Sequence, residues 1–309
     1  MSFKPCFAGV LLLTGAICSP AQVGTLCPSV IIVNVLDQNG RPVSDLAKTG
    51  FRVRIDRRPV DVRDAEYRII PRRMVLIVDL SGSMVGGSRS FERAAAEEFI
   101  SSAPSQIPIA LVSFSGKEIE SMGFDHLRNQ TATELRRVME TPGGSKGRTA
   151  IYDAIMAGIR ILQPSQFGDS IYLITDGGDN SSRVTGSEVR EALLKNEVRL
   201  FPFLVENGYF EEEKVAGYRA ISDLASDSGG YMFTADVAKR HPEKDEFNAQ
   251  TAFLVNIVSG FYTLRVDRNA ESGQPSRLVV ESLNDRGKPR KDLRLNFPQS
   301  LYTTSCTAN

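Results

Sequence analysis

Met74-Val75-Leu76-Ile77-Val78-Asp79-Leu80-Ser81-Gly82-Ser83-Met84 is the stretch whose reading decides the fold. Its first five residues are apolar without alternation, the pattern of a parallel strand covered on both faces. The strand runs directly into Asp79-Leu80-Ser81-Gly82-Ser83, where three oxygen-bearing side chains stand at alternate positions and can point to one side of a loop. Two later stretches match it as partners. Gly147-Arg148-Thr149-Ala150-Ile151-Tyr152-Asp153-Ala154 ends a glycine-rich loop and opens a helix, and Ile171-Tyr172-Leu173-Ile174-Thr175-Asp176-Gly177 is a second apolar strand ending in an aspartate. In an open parallel sheet, ligands bind outside the carboxyl ends of the strands. Asp79 and Asp176 each end a strand and Thr149 begins a helix, so the three loops are expected on one rim.

Outward from this stretch, strand and helix alternate from residue 73 to 259. Phe91, Ala95 and Phe99 recur every fourth residue, giving a helix over 90–102 with one core-facing stripe. A strand over 107–114 follows, then a helix over 127–140 with Thr131 and Thr133 as caps. Ile151, Ile155 and Ile159 mark a helix over 149–162, followed by a strand at 170–175, a helix at 187–196 and a strand at 198–205. The series closes with a helix at 214–226, a short strand at 231–233 and a helix at 245–259. This is the rhythm of a doubly wound, Rossmann-like α/β domain.

Both flanks read as β. Val30 to Val35 is a β-branched run ended by Asp37-Gln38-Asn39-Gly40, a hairpin-turn signal. Phe51 to Asp56 alternates apolar and charged residues, and Val60 with Val62 suggests one more strand. After Gly260, strands are expected at 261–266, 278–283 and 293–297. Neither flank has enough strands to bury a core alone. The expectation is one β-sandwich assembled from residues 22–72 and 260–309, with the α/β domain of residues 73–259 inserted between them.

The chain has 309 residues, 41% of them hydrophobic, and a formal net charge of zero. Charge balance argues against nucleic acid as a partner, since that binding needs a basic face. Residues 1–21 have the parts of a secretory signal: Lys4, the short apolar run Phe7 to Leu13, and small residues ending Ser19-Pro20-Ala21. The apolar run falls short of the roughly 20 residues a membrane-spanning helix needs, and no later segment is long enough. Export to a periplasmic or extracellular location follows, with cleavage after Ala21. Ile17 before Cys18 weighs against a lipid anchor. Cys27 and Cys306 then remain, as a candidate disulfide in an exported chain or as two free or intermolecular thiols.

Asp79, Ser81, Ser83, Thr149 and Asp176 make an all-oxygen set. Without Cys or His, such a set suits Mg²⁺, Mn²⁺ or Ca²⁺ and not zinc. Only two carboxylates are present, so the cation stays electrophilic and keeps room for an outside ligand. A glutamate or aspartate from a protein partner would complete the shell, which is binding without a catalytic step. Each residue also has a local explanation: Ser81 or Ser83 as a helix cap, Thr149 as another, Asp176-Gly177 as a strand-end turn. An enzyme, such as a metal-assisted hydrolase, is disfavoured. The two histidines, His126 and His241, lie away from every motif, and no nucleophile is paired with a base. A structural subunit of a cell-envelope assembly with an idle metal site is the other competing reading.

Asp79-Leu80-Ser81-Gly82-Ser83, Thr149 and Asp176, spaced 70 and then 27 residues apart, resemble the metal-ion-dependent adhesion site (MIDAS) of von Willebrand factor type A domains. Thr175-Asp176-Gly177-Gly178-Asp179-Asn180-Ser181 fits the same family. The whole chain resembles VWFA-related secreted proteins of bacteria, notably acidobacteria, in its leading segment Val33-x-Val35-x-Asp37-x-x-Gly40-x-Pro42-Val43 and its β-rich end. The resemblance implies Ser81, Ser83 and Thr149 as direct metal ligands and Asp79 and Asp176 as ligands mainly through water. Asp153 and Asp179 are not carried over. Asp56-Arg57 stands where Asp-Gly is expected, which leaves the type of that turn open.

Overall fold

A computed structural model describes residues 26–84, 86–140, 148–206, 212–237, 244–269 and 275–302. The amino-terminal flank supplies β1 (Leu26–Leu36), β2 (Phe51–Ile55), β3 (Arg58–Val60) and β4 (Val62–Ile69). The α/β part runs through β5 (Met74–Asp79), α1 (Gly87–Ser102), β6 (Ile109–Ser115), β7 (Glu118–Met122), α2 (Arg128–Glu140) and α3 (Ile151–Ile161). It continues through β8 (Ser170–Thr175), α4 (Gly186–Lys195), β9 (Arg199–Glu206), α5 (Glu212–Ser228), β10 (Phe233–Asp236) and α6 (Lys244–Ser259). The carboxyl-terminal flank holds β11 (Gly260–Asn269), β12 (Ser276–Ser282), β13 (Arg294–Asn296) and β14 (Ser300–Leu301).

The six-stranded sheet has the order β10-β9-β8-β5-β6-β7, parallel except for the antiparallel edge strand β7. Every residue of β5 is buried, as an unbroken apolar run requires when helices cover both faces. Met74, Leu76 and Val78 pack against Phe91 and Phe99 of α1, Leu135 of α2, and Leu254 and Ile257 of α6. Val75 and Ile77 face the other way, against Ile151 and Ile155 of α3, Leu193 of α4 and Ile221 of α5. Each such side chain taken out of water contributes about 1.5–3 kcal/mol. Local signals agree with this packing: Thr185 and Glu188 form a capping box at the start of α4.

The flanks build two further sheets, β13-β1-β11-β4 and β14-β12-β2-β3, each drawing strands from both ends of the chain. Their inner faces share a core of Ile31, Val33, Phe51, Val53, Tyr262, Leu264, Leu278 and Val280. Strand β2 shows the alternating burial that its sequence dictates. The Asp56-Arg57 turn is resolved: both residues have positive φ, 48° and 68°, and link β2 to β3 in the manner of a type I′ hairpin without glycine.

Four expectations need correction. Strand β7 was not anticipated, because Glu118-Ile119-Glu120-Ser121-Met122 is a half-exposed edge with little apolar signal. Strand β4 is far longer than one valine pair suggests, because its polar residues face solvent. Asn39-Gly40 does turn the chain back, with the Asp37 and Val43 amides bonded to the Arg41 and Val35 carbonyls at 2.9 Å, but no second strand follows there among the described residues. Gly40 turns at φ 77° and the Asp37 carboxylate accepts from the Asn39 and Arg41 amides at 2.8 Å, but only one bridge, Leu36 to Pro42, follows. Thr131 and Thr133 are not caps, since their hydroxyls donate back to the Leu127 and Asn129 carbonyls. The proposed leader and Cys306 lie outside the described residues. Cys27 sits in β1 opposite Arg268. No helix among the described residues is long and apolar enough to cross a membrane.

A buried polar latch joins the sandwich to the α/β part. Asn34 of β1 donates to the Ile257 and Gly260 carbonyls at 2.7 and 2.8 Å, where α6 passes straight into β11. Arg199, at the start of β9, donates to the Ile257 and Val258 carbonyls at 3.1 and 2.9 Å and to the side-chain Oδ1 of Asn34 at 3.3 Å. Truncating Asn34 leaves the Gly260 carbonyl without this donor in a dry place. Asn34→Ala is expected to lower unfolding free energy in urea by about 2–4 kcal/mol, whereas a loss under about 0.5 kcal/mol would show that the latch is dispensable.

Candidate metal centre

Because β5 and β8 are parallel neighbours, the loops that leave their carboxyl ends emerge side by side. Asp79 is fully buried at the end of β5. Its Oδ1 accepts from the Ser81 amide at 2.9 Å and its Oδ2 from the Thr175 hydroxyl at 2.5 Å. Both acceptances fix the carboxylate, and the first curls the loop so that Ser81 and Ser83 turn inward. Their hydroxyl oxygens lie 3.0 Å apart, and Ser83 donates to Asp176 Oδ1 at 2.9 Å. Neither serine is a helix cap: α1 is preceded by Gly86, and no side chain caps it.

Thr149 reaches the same rim by its backbone. It bridges Gly116, just past the end of β6, and its amide and carbonyl are bonded to Asn180 at 2.8 and 3.0 Å. The loop after β8 is thereby laced to the loop before α3. Thr149 does not cap α3, whose preceding residue is Ala150. Its hydroxyl makes no hydrogen bond among the described residues, so the structure links Asp79, Ser81, Ser83 and Asp176 directly and leaves Thr149 beside them. Asp153 and Asp179 are engaged elsewhere. Asp153 accepts the Arg183 and Val184 amides, and Asp179 accepts from the Tyr152 amide and the Ser182 hydroxyl.

The glycines after Asp176 have a packing reason. Gly177 and Gly178 have φ of 84° and 93°, and a Cβ on Gly217 of α5 would stand 2.6 Å from Gly178 Cα. Bare backbone on both sides lets α5 press against the Asp176 loop.

Two functional neighbours escaped the sequence reading. Thr175 holds Asp79 and also accepts from the Gly177 amide at 3.1 Å. Glu92 is fully buried on the apolar face of α1, and its Oε1 accepts from the Asp79 amide at 2.6 Å. Its signal was present: a glutamate at helical spacing between Ser88 and Ala96 on a face otherwise destined for the core. Its Oε2 has no hydrogen bond, and Arg89 stands 3.7 Å away.

The oxygens fit a hard divalent cation. The Ser81, Ser83 and Asp176 oxygens are already drawn together, with separations of 3.0 and 2.9 Å along the chain they form. Among the described residues no three His, Cys, Asp or Glu side chains gather for a metal, so hydroxyls have to supply the donors. Electrostatics points the same way. Burial first, then the charge of Asp176, pushes the Asp79 carboxyl up to about 6. Burial, then Asp79, raises Glu92 well above the ordinary range. A cation placed here would reverse the penalty on Asp79.

Residues 74–178 match the family described as von Willebrand factor type A domain. No curated protein matches it in sequence. Among solved structures it is similar to BatB from Bacteroides thetaiotaomicron, at 15% identity over 60% of this chain and 98% of that one, with a TM-score of 0.46. It is similar to proximal thread matrix protein 1 from the mussel byssus with a zinc-occupied MIDAS motif, at 15% identity and TM-score 0.49, over 66% of this chain and 50% of that one. A von Willebrand factor type A protein from Catenulispora acidiphila matches 92% of this chain and 75% of its own at 11% identity and TM-score 0.47.

The raised Asp79 carboxyl gives a signed expectation. Folded Asp79 holds its proton more tightly than the unfolded chain does, from 3.8 to about 6. Its contribution to metal-free stability is therefore full below pH 4 and lost as pH rises through 6, a swing of about 3 kcal/mol. Metal-free Asp79→Asn is expected to melt higher than wild type at pH 7.5 and level with it at pH 4. A gap independent of pH would contradict the assignment.

Proposed function

We propose that this is an exported adhesion module, periplasmic or extracellular, which binds a protein ligand through one divalent cation at the β5–β8 rim. The observation that carries the reading is the hydrogen-bonded chain of oxygens Ser81–Ser83–Asp176, gathered from two strand-end loops and backed by the buried Asp79 carboxylate. The all-oxygen donor set suits Mg²⁺, Mn²⁺ or Ca²⁺. Ser81, Ser83 and Thr149 would ligate directly, with Asp79 and Asp176 acting mainly through water. Such a shell leaves one position for a partner's glutamate or aspartate.

A catalytic step is not part of the reading. The described histidine, His126, stands 3.5 Å from Asp125 with its side chain 37% exposed, on the loop before α2. The leader-like pattern of residues 1–21 supports export, and the balanced charge supports a protein over a nucleic acid as partner.

Calorimetry with Mg²⁺ and Mn²⁺ tests the metal, and capture of envelope or extracellular proteins with Mg²⁺ against EDTA tests the partner. Wild type is expected to bind either ion with 1:1 stoichiometry, and Asp79→Ala and Ser83→Ala to lose at least about tenfold in affinity. Captured protein should be released by EDTA and be absent with Ser83→Ala. Metal binding without metal-dependent capture would favour a structural subunit with an idle site, and turnover of a phosphoester panel would favour an enzyme.

A further inference from the structure

At the opposite rim of the central sheet, where β9 begins, the sandwich and the α/β part border a cavity of about 560 Å³. That volume lies within the range of small-molecule sites. Five arginines line it, Arg68, Arg72, Arg199, Arg265 and Arg268, against one carboxylate, Glu197. The chain as a whole is neutral, so this is a local concentration of charge.

Arg68 is paired with Glu66 and Arg268 faces Glu197, whereas Arg72 and Arg199 have no ion pair among the described residues. Arg199 is 1% exposed and donates only to the Asn34 side chain and the last carbonyls of α6, over the rings of Phe201 and Phe261. The helix end offsets only about half a charge. Arg72 lies over Phe261, with its centre 5.8 Å from the ring, and its nearby carboxylate Asp169 is already held by Arg73 at 2.5 Å. Arg68 reaches Glu66 through Nη2 at 2.5 Å. The Nε atoms of Arg68, Arg72 and Arg199 are buried without a partner, three of six such side-chain atoms among the described residues. Burial and then the charge of Arg72 push Arg199 down to about 9. Buried donors and mutually repelling cations are both costly unless something accepts from them.

Beside the polar Ser29, Ser228, Thr263 and Ser300, the wall has an apolar part. Phe167, Leu193, Leu194 and Leu301 line the cavity, and so does Val30, which is 42% exposed although it stands in a strand.

We propose that this cavity binds a small organic anion, with a carboxylate or phosphate head received by Arg68 and Arg72 and an apolar body against Val30, Leu193 and Leu301. Guanidinium groups accept both heads through paired N–H donors. The site is independent of the metal at the other rim.

Calorimetry on the full chain in EDTA, with octanoate, octyl phosphate, octanol and inorganic phosphate as probes, tests this. One of the two octyl anions is expected to bind and raise the melting temperature, and the tighter of the two identifies the head group. Arg72→Gln and Arg68→Gln should each weaken it about tenfold or more, while the Mg²⁺ titration of both variants stays as in wild type. That last readout separates loss of the cavity from loss of the fold or of the metal site. No binding by either octyl anion, equal binding of octanol, or unchanged affinity in both variants would overturn the proposal. Equal affinity for inorganic phosphate and octyl phosphate would overturn its apolar half.

Discussion

A carboxylate buried at the end of the central strand is the constraint on which the rest of this molecule turns. Asp79 lies out of water, and a charge there is tolerated only with hydrogen bonds and a neighbouring cation. Thr175 on the adjacent strand and the Ser81 amide supply the bonds. Both depend on β5 and β8 being parallel neighbours, so the sheet order and the site are one fact seen at two scales. In chain order β5 leads to β6 on one side and β8 lies on the other, which is the switch point where α/β sheets open a crevice.

The donor set explains what the crevice can do. Hydroxyls dominate and the carboxylates are few, so a cation held there would remain short of negative charge. Glu92 sits behind Asp79 with its carboxyl pushed toward the neutral form, and so supports the Asp79 amide without competing for the ion. The Asp176 loop, bare of side chains at Gly177 and Gly178, is braced by α5 and laced to Thr149 through Asn180. At the opposite rim of the sheet Asn34 and Arg199 fasten α6 to β1 and β9, so the sandwich is bound to the sheet that carries the site.

Much of this was legible in the residues. The unbroken run Met74 to Val78 could only be a strand covered on both faces, and the stripe Phe91, Ala95, Phe99 could only be a helix packed on it. The convergence of Ser81, Ser83 and Asp176 followed from strand ends sharing a rim. What was not legible had little apolar pattern to show. Strand β7 and most of β4 are half-exposed, so burial never shaped their sequence. Thr175 hid inside a strand whose other residues are apolar, and Glu92 on a helix face read only for its hydrophobes. The latch formed by Asn34 and Arg199 joins residues 165 apart, a contact no local pattern announces.

Anomalous diffraction from crystals grown with Mn²⁺ addresses the central claim most directly. The expected result is a single peak about 2.2 Å from the Ser81 and Ser83 hydroxyl oxygens, with Thr149 drawn to the same ion. A difference map with no peak there, or with the ion bound elsewhere while the two serines keep their mutual hydrogen bond, would contradict it.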